Sequence, residues 1–181
     1  MALYPDRRSA SIPALWAVQR LYGWCTPEGI RRAAAVMRVT PAYLEAVASF
    51  YDLLHTSPVG GHQIHVCTNI SCWMRGADGL LEAFCEASGC DPAEARHGAI
   101  SADGKVFVSG FECLGACDIA PMASIDERYF GPLEAADAAT AIEQLVAGGE
   151  VLPAKALQKR GLAGDAGRAA AADGTQETGD A

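Results

Sequence analysis

Four of the chain's seven cysteines fall into two tight pairs, Cys67-x4-Cys72 and Cys113-x3-Cys117, with 40 residues between the pairs. Two short cysteine loops converging from different parts of a fold can supply the four thiolates that a [2Fe–2S] cluster takes, two on each iron. Each loop must bend sharply and bring backbone N–H groups toward the sulfurs. The intervening residues suit that: Thr68, Asn69 and Ser71 in the first loop, Gly115 and Ala116 in the second. Four thiolates, two sulfides and two ferric ions carry a net charge of about −2, which becomes about −3 on one-electron reduction, so nearby N–H dipoles stabilise the reduced form.

Spacing alone also admits zinc, which takes four cysteines in C-x2–4-C pairs. Disulfides are expected to fit less well: the cysteine count is odd and residues 1–8 lack the apolar stretch of a secretory signal, and a cytosolic protein keeps such thiols reduced. The other three cysteines lack paired spacing. Cys25 stands at a helix boundary, Cys85 in a helical apolar stripe, and Cys90 in a Ser-Gly-Cys-Asp-Pro turn where it is expected to be exposed and oxidisable. His62-x2-His65-x-Cys67 resembles a mixed His/Cys site, but four cysteines leave no need for a histidine ligand, and alternation puts His65 opposite Ile64 and Val66. Arg75, just after the first pair, is a candidate to offset the cluster's negative charge.

The stretches Val66-Cys67-Thr68-Asn69-Ile70-Ser71-Cys72 and Glu112-Cys113-Leu114-Gly115-Ala116-Cys117-Asp118-Ile119-Ala120-Pro121-Met122 resemble the two cluster loops of the thioredoxin-like [2Fe–2S] ferredoxins, the 24 kDa-type subunits of NADH:quinone oxidoreductases (respiratory complex I). Upstream, Ile12-Pro13-Ala14-Leu15 with Gly23-Trp24, and Val47-Ala48-Ser49-Phe50-Tyr51, are similar to that family's helical N-terminal segment, and Arg75-Gly76 follows the first pair as in relatives. The resemblance spans roughly residues 4–147. It implies a thioredoxin-like domain holding one [2Fe–2S] cluster on Cys67, Cys72, Cys113 and Cys117, with no catalytic side chain. It also implies a one-electron role beside a flavoprotein subunit that binds FMN and NADH, among other peripheral-arm subunits of an oxidoreductase that is also a translocase. Diaphorase subunits of NAD-linked hydrogenases and formate dehydrogenases share these loops, and a zinc-stabilised interaction module is the alternative outside the family.

The elements that must position these loops can be read in chain order. Residues 14–22 are periodic in apolar side chains and stop at Gly23. Thr26-Pro27 and Thr40-Pro41 each place an N-cap hydroxyl before a proline at the first helical position; the third helix is expected to reach about Leu54. After the linker at Pro58-Val59-Gly60-Gly61, residues 62–68 alternate as a strand that ends on Cys67, residues 73–88 form a helix, and residues 105–111 form a strand leading to Cys113. A hairpin over 122–126 and 128–130 and a helix over 133–147 follow. The fold class is therefore α/β (α+β): a helical module over 1–58, the cluster domain over 59–153, and an Ala/Gly-rich tail over 154–181. That tail has nine alanines, five glycines and no aromatics among 28 residues; it is expected to stay flexible because so little apolar surface cannot offset ordering entropy.

Charge follows the same division. Residues 1–58 carry six arginines against four acids, residues 59–153 carry four bases against fourteen acids, and the whole chain has a net charge of −8. An acidic domain argues against phosphate-backbone binding, so no nucleic acid partner is expected. Negative charge also opposes electron addition and suits a low-potential cluster. Gly98 to Lys105 lacks P-loop spacing and the following Ser or Thr, and reads as a turn at Asp103-Gly104; no G-x-G-x-x-G occurs. NADH chemistry must then belong to another chain. No apolar run reaches the length of about 20 residues that a membrane span needs. The expected location is cytoplasmic, peripheral to the inner face of the cell membrane through the complex.

Overall fold

A computed structural model describes residues 3–160. The chain opens with three helices, α1 (Ser11–Tyr22), α2 (Pro27–Met37) and α3 (Pro41–Phe50). Their starts are set by the two Thr-Pro pairs: the Thr26 hydroxyl accepts from the Gly29 N–H and the Thr40 hydroxyl from the Tyr43 N–H. Gly23, at φ 82°, ends α1. Leu15, Ile30, Ala34, Met37, Leu44 and Ala48 close one apolar core between the three helices. The third helix stops at Phe50, short of the expected Leu54. Residues 51–55 leave the helix so that Leu54 enters this core while His55 crosses to the sheet, its N–H donating to Gln19 Oε1 (2.7 Å).

A five-stranded mixed sheet carries the rest. Its strands are β1 (His62–Cys67), β2 (Ala99–Ile100), β3 (Val106–Phe111), β4 (Ala123–Ile125) and β5 (Arg128–Phe130), in the order β2-β3-β1-β4-β5. Strands β1 and β3 are parallel neighbours, with Cys67 opposite Phe111. The helix expected over 73–88 starts later, as α5 (Ala77–Ser88), because Gly76 takes φ 93° just before it; a separate single turn, α4 (Ile70–Trp73), precedes it. A last helix, α6 (Ala135–Val146), begins in a reciprocal capping box between Glu134 and Asp137.

The sheet's two faces differ chemically. Ile64, Val66, Val108 and Ile125 pack with Leu80, Leu81 and Phe84 of α5 and with Ala138, Ala141, Ile142 and Leu145 of α6. Each large side chain buried there contributes roughly 1.5–3 kcal/mol. The opposite face presents the buried polar residues His65, Ser109 and Ser124. On that face His65 Nδ1 bonds Ser109 Oγ (2.7 Å), and His55 stacks on His65 with ring centroids 6.2 Å apart while its Nε2 meets Gln63 Oε1 (2.7 Å). Among the described residues every buried side-chain nitrogen and oxygen has a partner. His65 is thus an interior histidine whose Nδ1 is satisfied by Ser109.

This face makes stability sensitive to acid. Burial, reinforced by neighbouring His55, pushes the His65 imidazole down to about 4, and burial lowers His55 as well. The unfolded chain protonates these groups near the ordinary histidine value of about 6.5, so it binds more protons than the folded chain below that pH. Stability is therefore present above about pH 6.5 and is lost as pH falls toward 4. From pH 7 to pH 5 we expect a loss of about 2 kcal/mol from His65 alone, measured by urea unfolding. In His65→Gln the loss should shrink markedly; an unchanged pH dependence in that variant would contradict the assignment.

Two further expectations need correcting. Cys90 is 6% exposed, not a surface thiol: Gly89 at φ 72° folds the turn back, and the Cys90 thiol points to the Ala99 carbonyl, 3.6 Å away, at the base of β2. The chain beyond Pro153 also packs through residue 160, where Ala156 bridges Phe130 and residues 157–159 make a 3-10 turn. The remainder of the expected tail, 161–181, lies outside the described residues.

Candidate iron–sulfur centre

Parallel pairing of β1 with β3 brings both cysteine loops to one end of the sheet. Cys67 is the last residue of β1, and its N–H donates to the Met122 carbonyl at 3.1 Å. Thr68 fastens the two loops at their base, with N–H and hydroxyl both donating to the Phe111 carbonyl (2.8 and 3.0 Å). Asn69 Oδ1 then accepts from the Ile70 N–H, starting the single turn α4 that carries Cys72 back toward Cys67. In the second loop Gly115 takes φ 82°, a left-handed conformation that glycine adopts without a Cβ clash. That bend sets Cys113 and Cys117 with their sulfurs 3.7 Å apart. Two thiolates about 2.3 Å from one tetrahedral metal lie about 3.8 Å from each other, so the second pair has the spacing of two ligands on one ion.

The two pairs sit in unlike surroundings and face each other. Cys67 and Cys72 are buried at 3% and 1% exposure, in a small apolar bed with Ala77, Ala116, Ile119, Ala120 and Met122. Cys113 and Cys117 are exposed. Burial pushes the Cys72 thiol up to about 11, with Cys67 beside it and Cys117 across the site raising it further, while a backbone bond from Met122 opposes the rise. The Cys117 thiol is raised by its bond to Cys113 and by Cys113's charge, and lowered by Ser71. The exposed pair shares a sulfur–sulfur contact, and the buried pair lies close enough for Cys117 to raise the Cys72 thiol.

Among the described residues no three His, Cys, Asp or Glu side chains are placed to share one ion. Two thiolates on each of two irons are what a [2Fe–2S] cluster requires, and two cysteine pairs at one end of the sheet supply them. The donor set fits a [2Fe–2S] unit.

Other candidates lie elsewhere. His62 Nδ1 meets Asp126 Oδ2 at 2.8 Å, beyond β4. Cys25 lies in the helical core and Cys85 in the sheet core, where burial raises both thiols. Arg75 closes the first loop through its backbone, its N–H donating to the Cys72 carbonyl (3.0 Å), and its side chain is exposed. The cation at the second loop is one that sequence reasoning missed: Arg160 Nη1 lies 2.6 Å from Asp118 Oδ2, next to Cys117. A pairing across 42 residues leaves no local pattern to read.

Fold and site together define a ferredoxin-type domain with two opposed cysteine loops, and the chain belongs to the thioredoxin-like [2Fe-2S] ferredoxin family, whose pattern it matches over residues 1–146. It is 36% identical over 135 residues to the second of the E-type NADH-quinone oxidoreductase subunits of Rhizobium meliloti, covering 75% of this chain and 77% of that one. It is 37% identical over 127 residues to the E-type NADH-quinone oxidoreductase subunit of Mycobacterium bovis, covering 70% of this chain but only 48% of that protein. Among solved structures, an NAD+-reducing [NiFe]-hydrogenase in the H2-reduced state matches with a TM-score of 0.63 and 26% identity, over 74% of this chain and 22% of that one.

Proposed function

We propose that this chain is the [2Fe–2S] electron-transfer subunit of an NADH:quinone oxidoreductase, holding its cluster on Cys67, Cys72, Cys113 and Cys117. The observation that carries this reading is the delivery of both cysteine pairs to one end of two adjacent parallel strands, within a family match that spans most of the chain. When bound, the cluster supplies a site for one electron at a time. The chain's own residues would hold it: Cys67 and Cys72 from an apolar bed, Cys113 and Cys117 from the solvent-exposed side.

The exposed edge supports a protein partner there. Ile70, Trp73 and Met74, at 67%, 58% and 75% exposure, flank Cys72 on and just after α4. Large apolar side chains grouped in this way mark interaction surfaces. Hydride transfer from NADH delivers two electrons, and a flavin is the group that takes them together and releases them singly. The partner is therefore the FMN- and NADH-binding flavoprotein subunit, with other peripheral-arm subunits beyond it. No helix among the described residues is long and apolar enough to cross a membrane, so attachment to the inner face of the cell membrane would run through the complex. Likeness to the NAD+-reducing hydrogenase supports a second reading, the equivalent subunit of such an enzyme.

Anaerobic mixing tests the division of labour. NADH with the flavoprotein subunit should bleach this chain's visible bands and produce an electron paramagnetic resonance signal, whereas NADH alone should do neither. Stoichiometric reduction of the flavin-free chain by NADH would contradict the proposal.

A further inference from the structure

Residues 155–160 run from the sheet's edge strand back to the cysteine loops and are anchored along the way. The Gly131 N–H donates to the Lys155 carbonyl (2.9 Å), Ala156 forms an antiparallel bridge with Phe130, and Lys155 Nζ lies 2.5 Å from Asp137 Oδ2 at the start of α6. Lys159 pairs with Glu150. Two side chains of this segment then reach the candidate centre. Leu157 packs against the bed that holds Cys67, Cys72, Ala116 and Ile119. Arg160 pairs with Asp118, the residue after Cys117.

We propose that residues 155–160 are a strap that sets the cluster's redox environment, Leu157 by keeping water from the apolar bed and Arg160 by neutralising Asp118 beside the second cysteine loop. The inference rests on the four-cysteine reading above. An exposed ion pair such as Arg160–Asp118 adds little to fold stability, so holding the chain end in place is a weak reason for it. Charge beside a cluster acts on a different quantity: reduction potential depends on net charge, solvent exposure and hydrogen bonding around the sulfurs. With Arg160 removed, the Asp118 carboxylate stands uncompensated and opposes the incoming electron. With Asp118 removed, the Arg160 guanidinium is left to favour it. Both residues act as positioning and charge-setting groups, not as ligands.

The test uses the full chain purified without air, with iron and sulfide content measured first and the midpoint potential then followed by visible absorption or electron paramagnetic resonance. Arg160→Gln should move the midpoint to a more negative value, Asp118→Asn to a more positive one, and the double variant back toward wild type. Arg160→Lys should keep the wild-type value. These shifts should shrink as ionic strength rises, because both groups are exposed to screening. Leu157→Ala should bleach faster than wild type under an iron chelator, and Leu157→Met should not. Full clusters in Arg160→Gln and Asp118→Asn at the wild-type midpoint, or shifts of the same sign in both, would overturn the strap. A wild-type chain that holds no cluster would instead overturn the reading on which it rests.

Discussion

Alanine at Cys67, Cys72, Cys113 or Cys117 is expected to abolish or badly deplete the visible absorption of the purified chain, whichever of the four is changed. In the proposed ligand set each thiolate would be one of only two protein ligands on its iron, and metal-site binding energy is available only to a folded chain that presents the complete set. Loss at the buried pair should be the more damaging to the fold. Cys67 and Cys72 form part of the apolar bed under both loops, whereas Cys113 and Cys117 are exposed. The same substitution at Cys25, Cys85 or Cys90 should leave the spectrum in place and lower stability by about 1 kcal/mol, since these thiols lie in the helical core and the sheet core. Iron and sulfide analysis with a visible spectrum decides the matter. A full cluster retained after loss of two of the four named cysteines would contradict the ligand set.

Gly131→Ala should be strongly damaging, and its damage should appear at the second cysteine loop. A Cβ at residue 131 would run into the Ile119 carbonyl oxygen and lie 3.0 Å from Met122 Cβ. Backbone cannot swing aside as a flexible side-chain tip can, so the 3-10 turn Cys117–Ile119 must shift. Overpacking of this kind costs about 1–3 kcal/mol, and the displaced turn carries Cys117. Gly79→Ala supplies the control: it lies inside α5, where an added Cβ meets nothing within 4 Å. Alanine's better helix propensity should raise stability there by about 0.5–1 kcal/mol. Thermal unfolding of the two variants checks both signs. Equal stability for wild type and Gly131→Ala would show that the second loop adapts freely.

The centre was more legible in the sequence than its surroundings because its signals are local. Cys67 ends a strand with visible alternation, Cys113 comes just after a second apolar run, and the helix starts at Pro27 and Pro41 follow from a hydroxyl and a proline side by side. Signals that depend on a single dihedral were harder to read. Gly76 at φ 93° delays the start of the helix expected from residue 73 to Ala77, and Gly89 at φ 72° sends Cys90 inward. Strand β2 has two residues, too few for a period-two pattern, and owes its existence to pairing with β3. Long-range partners left no trace. Tail composition pointed to disorder, yet Leu157 and Arg160 find the apolar bed and Asp118 across a fold that composition does not encode.

The two opposed cysteine pairs are expected to hold a two-iron, two-sulfide unit and not a single structural ion. Iron, zinc and acid-labile sulfide analysis of the full chain, purified without air, tests it most directly. About two iron and two sulfide per chain are expected, without stoichiometric zinc. About one zinc per chain with no labile sulfide would contradict it.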